Sequence, residues 1–151
     1  MTLAKKRALA SLTIWFTVLI VFTLIFFAGG GPAGYTEEQE QGRRLIVAGI
    51  FALGFVAYSF VLWRTREGRS GAMAGYDERD DAVASGASVT TLTVVLVFIF
   101  VLSLTLFEVY RGEGVVPAGW LWFLAYGTAF VGLICHAIVT LYLDARSTAH
   151  G

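Results

Sequence analysis

A chain of 151 residues that is 57% hydrophobic and only 15% charged, with a mean hydropathy of +0.72, carries more apolar surface than a water-soluble domain of its size can hide. Its 11 basic and 11 acidic residues cancel, which removes any electrostatic case for nucleic acid as a partner. The single cysteine, Cys135, excludes an internal disulfide and a Cys-x-x-Cys redox pair.

The apolar residues fall into four blocks, 8–28, 45–63, 89–107 and 118–143, none of which contains Asp, Glu, Lys or Arg. As a helix the shortest block is about 28 Å long, close to a hydrocarbon core of about 30 Å. This predicts an all-α membrane protein, a single domain over residues 1–151, with four transmembrane helices arranged as two helical hairpins. The first block follows Lys5, Lys6 and Arg7 and precedes small residues from Ala28 to Ala33, as a secretory signal would. Its length of about 21 residues exceeds the roughly 7–15 of a signal's apolar region, so a retained span is expected. Trp15 lies about two turns inside it, deeper than the headgroup level that tryptophan favours.

The first connection is rich in glycine, contains Pro32 and then Glu37, Glu38 and Glu40, and reads as an outer loop with an acidic tip. Gly49 and Gly54 in the second span, and Gly127 and Gly132 in the fourth, are spaced by five. They make no Gly-x-x-x-Gly motif, but they favour close packing of the second and fourth helices. The inner loop, 64–88, carries Arg64, Arg66, Arg69 and Arg79. With Lys5, Lys6, Arg7 and Arg146 that places eight basic residues on one side; Arg43, Arg44 and Arg111 are the three on the other. The positive-inside rule then predicts a multi-pass protein of the cell membrane with both termini cytoplasmic. Trp63 and Tyr142 would anchor the inner interface, and Tyr110, Trp120 and Trp122 the outer one.

The inner loop ends in Tyr76-Asp77-Glu78-Arg79-Asp80-Asp81-Ala82-Val83-Ala84. Asp77 suits a helix N-cap, with Asp80 three residues on and further acids where free N–H groups and the helix dipole favour them. From that cap the third long helix is expected to run to about Tyr110, roughly 50 Å, with its first two turns in the cytoplasm. Ala84 with Ser88, and Ala87 with Thr91, put small side chains where another helix can approach. The group Asp77, Glu78, Arg79 and Asp81 has two readings. One is an interaction site for a cytoplasmic partner; the other is a cap with exposed ion pairs, each contributing about 0–1 kcal/mol.

An Asp-Glu-Arg triplet shortly before the third of four spans, followed by Ala82, Val83 and Ala84, resembles an uncharacterised family of small prokaryotic membrane proteins known as a domain of unknown function. The Leu124-Ala125-Tyr126-Gly127 stretch is similar as well, while a basic residue common in that family is missing where Ala84-Ser85-Gly86 stands. The resemblance implies the four-span fold and brings no activity with it.

His136 is the one Asp, Glu, His, Lys or Arg inside a block, and intramembrane ionisable residues mark function by default. A bis-histidine haem needs a second histidine at the same depth, and His150 lies beyond the membrane. Zinc needs three or four ligands, and Cys135 points to another face at i−1. The structural alternative for this intramembrane polar site is a neutral imidazole bonded to Thr13, Thr17 or Thr93 of a neighbouring helix. Glu108 and Arg111 have the i,i+3 spacing of a surface pair, and Ser103 and Thr105 can bond their own helix backbone.

Residue inventory removes several four-span functions. The first span has no carboxylate such as a small multidrug exporter uses, and there are no cysteine pairs, paired histidines, or nucleophile with a base. The sequence therefore predicts no catalytic, cofactor-binding or metal residues, and a non-catalytic accessory or interaction subunit in the lipid bilayer. Its partner would be another membrane protein or further copies of the chain. The alternative is an oligomeric transporter or channel, whose pore Ser and Thr can line.

Overall fold

The computed structural model describes residues 3–28, 30–34, 41–67 and 78–149. They form α1 (Leu3–Ala28), the short α2 (Gly31–Gly34), α3 (Gln41–Glu67), α4 (Glu78–Tyr110) and α5 (Gly119–Ala149). Hydrocarbon offers the backbone no hydrogen-bond partners, so an apolar span must satisfy its N–H and C=O groups internally, and the helix does this. The two prolines, Pro32 and Pro117, stand outside the long helices, where they break no ladder. Four segments are long and apolar enough to cross a membrane: Ala4–Ala28, Gln41–Thr65, Ala82–Tyr110 and Gly119–Arg146. They outrun the charge-free blocks because polar residues at the ends remain helical.

After α4 the chain turns at once. The Tyr110 carbonyl accepts from the N–H of Glu113 (3.0 Å) and of Gly114 (3.1 Å), and Gly114 has φ +70°, a conformation glycine adopts without strain. The Pro117 and Ala118 carbonyls then accept from Trp120 and Leu121 as α5 begins.

α1 and α5 form the central pair, with α3 packed on α1 and α4 packed on α5. They run antiparallel, since Phe26 meets Phe123 (5.5 Å between centroids) and Trp15 meets Phe130 (6.5 Å). The core is aromatic. Phe22 touches Tyr126 and Phe130 at 5.2 and 5.4 Å, and Phe51 of α3 reaches the same two rings at 5.0 and 5.3 Å. Trp15 is fully buried in this cluster, 4.7 Å from Phe55, which explains a tryptophan too deep for an interfacial anchor.

The expected pairing of the second and fourth spans through their glycines is corrected. Gly54 faces α1, where an added Cβ would come within 3.0 Å of the Trp15 ring. Gly127 and Gly132 face Phe98 and Val95 of α4, and Gly49 faces open space. Gly54, Gly127 and Gly132 each make room for a side chain on the helix beside them; α3 and α5 meet through Phe51. A tighter approach occurs at Gly119, whose added Cβ would collide with the backbone of Pro32.

Two hydrogen bonds mark the ends of the bundle. Arg7 Nε donates to Thr65 Oγ1 (2.8 Å), joining the start of α1 to the end of α3. Trp120 Nε1 donates to the Tyr110 hydroxyl (2.8 Å), joining α5 to α4 at the opposite end. Between them every long helix exposes large apolar side chains, among them Leu24, Leu53, Phe100 and Leu121, an exterior suited to hydrocarbon.

Candidate functional site

The acidic motif opens α4. Glu78, Arg79 and Asp81 lie in its first turn, and Asp77 lies outside the described residues. Just beyond, the small-residue face resolves into one stripe. Val83 and Ala87 are buried, and Gly86 lies against Leu143 of α5, with 3.2 Å from an added Cβ to that side chain. Ala84 and Ser88 are exposed. The close approach is therefore made within the chain, to α5, by the stripe containing Ala87 and Thr91; the pair Ala84 and Ser88 takes no part. Spacing alone does not choose between stripes about 100° apart on one helix.

His136 sits half-buried on α5. The contacts of Gly127 with Phe98, Gly132 with Val95 and Gly86 with Leu143 set an antiparallel register in which His136 stands at the level of Thr91. The Thr91 hydroxyl is buried with no hydrogen-bond partner among the described residues. The partners expected from the sequence are engaged elsewhere. Thr13, Thr17 and Thr93 donate to their own helices, at the Leu9, Thr13 and Val89 carbonyls (3.0, 2.8 and 3.0 Å). A threonine in a helix finds the i−4 carbonyl within reach, a nearer acceptor than a side chain across the bundle. Thr105 does the same with Val101 (2.8 Å), and Thr140 with the His136 carbonyl (2.7 Å). His150 lies outside the described residues. Among those residues no three His, Cys, Asp or Glu side chains gather as metal ligands.

Glu108 and Arg111 form the expected surface pair, 3.9 Å apart and both exposed. Asp144 was not singled out from the sequence. It follows the fourth apolar block directly, yet it is only 5% exposed, at the end of α5 that lies toward the start of α1. Its signal is a lone acid one residue past an uncharged run, and a terminal position ordinarily reads as solvated.

Cys135 lines an apolar cleft of about 440 Å³. α5 forms the floor with Gly127, Val131, Cys135 and Ile138; Phe16 and Leu19 of α1 stand on one side and Phe98 of α4 on the other. The sequence reading did not foresee this open cleft, because it arises where two helices lean on a third.

The family whose description reads "Predicted membrane protein (DUF2178)" matches residues 8–146. No curated protein and no solved structure matches the chain.

Proposed function

The chain belongs to this family of predicted membrane proteins, and from that premise we propose that it is a non-catalytic accessory or interaction subunit of the cell membrane. Both termini and the 64–88 connection would lie in the cytoplasm, a threading supported by the eight-to-three distribution of Lys and Arg. The observation that carries the functional reading is the start of α4. The helix begins at Glu78, while its membrane-compatible stretch begins at Ala82, so the charged turn Glu78–Asp81 precedes the apolar span as its continuation. A charged helical end held on a packed bundle is a surface for a partner protein.

The test is assembly. Complexes extracted in mild detergent from cells carrying the triple variant Asp77→Lys, Glu78→Lys, Asp81→Lys should lose a partner on native gels, with helical circular dichroism unchanged. Unchanged assembly would reduce the cluster to a helix cap. A closed homo-oligomer as the sole species would instead favour the oligomeric transporter or channel. Threading is read separately: in a Cys135→Ala background, an impermeant thiol reagent outside intact cells should label Glu113→Cys and leave Lys6→Cys unlabelled. The reverse pattern would overturn the orientation.

A further inference from the structure

Trp15 places a hydrogen-bond donor where lipid supplies no acceptor. The residue lies about 17 Å inside the span Ala4–Ala28, near the middle of a bilayer, and is fully buried. Its indole Nε1 has no hydrogen-bond partner among the described residues. The Cζ3 and Cη2 atoms of the ring stand 3.0 and 3.3 Å from a Cβ added at Gly54 of α3, so the N–H edge, on the opposite side of the indole, is turned away from α3. With no surface exposed, that edge does not face lipid either. A helical side chain leans over the turn before it, which directs the N–H into the α1–α5 seam on the side of Ser11.

The seam changes character at this level. Toward the carboxyl end of α1 it is closed by rings, Phe22 and Phe26 against Phe123 of α5. Toward the amino end the buried residues of α1 and α5 are Ala8, Ser11, Ala137 and Asp144, all of them small or polar. Ser11 is 5% exposed, and its hydroxyl oxygen can accept a hydrogen bond whatever its own proton does. Tyr58, packed on the core from α3, falls between the contacts of Gly54 with Trp15 and of Thr65 with Arg7. It therefore brings a second hydroxyl-bearing side chain to the level of Ser11. An indole N–H repels a cation, and an anion here would stand among uncharged groups. A neutral molecule that both accepts and donates meets the groups present, and small side chains around it suit one the size of water.

We propose that a water molecule is bound inside the bundle between Trp15 and Ser11, accepting from the indole N–H and donating to the serine oxygen, and that it enters from the end of the seam marked by Arg7, Thr65 and Asp144. The site requires neither the accessory role nor a particular orientation of the chain. The phenylalanines beyond Trp15 make it a dead end, so one copy of the chain offers no continuous aqueous path along this seam, and a pore would have to form between copies.

The test uses the full chain in lipid nanodiscs with isotope-labelled tryptophan, read by NMR that transfers magnetisation from water. Trp15→Phe assigns the Trp15 indole signal by its loss. A water cross-peak at that buried N–H is expected. Ser11→Ala should weaken it, and Ser11→Thr, which keeps the hydroxyl, should retain it. No cross-peak in the unaltered protein, or an equal one in Ser11→Ala, would overturn the site. Exchange of the same proton with heavy water reads the route. Ala8→Val, which enlarges a buried side chain between the site and its mouth, should slow exchange; Val18→Ile, on the aromatic side, should not. Equal rates in the two variants would overturn entry from the Arg7 end. The cross-peak in the unaltered protein decides the site even where a variant fails to fold.

Discussion

Trp15 and Thr91 both hold a buried polar group that finds no hydrogen-bond partner among the described residues, the indole N–H in one and the hydroxyl in the other. An unpaired group of this kind is unfavourable, and removing it while preserving shape is close to neutral. Trp15→Phe removes the N–H but also part of a fully buried ring system, so it should cost only about 1–2 kcal/mol. Trp15→Ala empties a site lined by Phe51, Phe55 and Phe130 and should cost about 3–5 kcal/mol through lost packing. Unfolding in mixed micelles separates the two. Thr91→Val keeps the branched shape and deletes the orphan hydroxyl, so it should be neutral or stabilise by up to about 1 kcal/mol. His136→Gln at the same level of the α4–α5 contact should leave folding intact. If Thr91→Val instead destabilised by more than about 1 kcal/mol, and His136→Gln removed that difference, the two side chains would be bonded to each other.

At the scale of the helices, two glycines make opposite predictions. Gly119 packs against the backbone of Pro32, which has no flexible side chain to move aside. Gly119→Ala should push α2 off α5 and cost about 1–3 kcal/mol, the usual penalty of overpacking. Gly49 meets nothing within 4 Å, so Gly49→Ala should stabilise α3 by up to about 1 kcal/mol through helix propensity. Thermal unfolding in detergent reads both, and equal effects would mean the α2–α5 contact is not tight. The same contrast explains what was legible. The number of spans could be read because a bilayer demands length without charge, and a helix start near Glu78 because acids are favoured in a helix's first turn. Which face of each span packs inward could not be read. In water the buried side of a helix is the apolar one; in lipid both sides are, so Gly54, Ala87 and Phe130 carry no mark distinguishing them from Gly49, Ala84 and Phe100. The threonines expected to bond His136 donate to their own helices for a related reason: an i−4 carbonyl is always present, whichever neighbour the helix meets.

For the whole molecule the consequence is that cohesion rests on packing, because lipid tails are as apolar as the side chains and supply no hydrophobic drive between helices. The central seam joins α1 to α5 through rings: Phe22 to Phe123, Tyr126 and Phe130, and Phe26 to Phe123. Pairs of this kind contribute about 0.5–1.5 kcal/mol each beyond the area they cover. Cutting the chain between α3 and α4 leaves both of these helices whole, with α1 and α3 on one fragment and α4 and α5 on the other. Co-expressed fragments 1–72 and 73–151 should therefore insert separately and co-purify. Phe22→Ala combined with Phe130→Ala should separate them, whereas Phe100→Ala on the exterior of α4, 65% exposed, should not. Co-purification lost equally in both variants, or never observed, would place the cohesion of the bundle somewhere other than the α1–α5 seam.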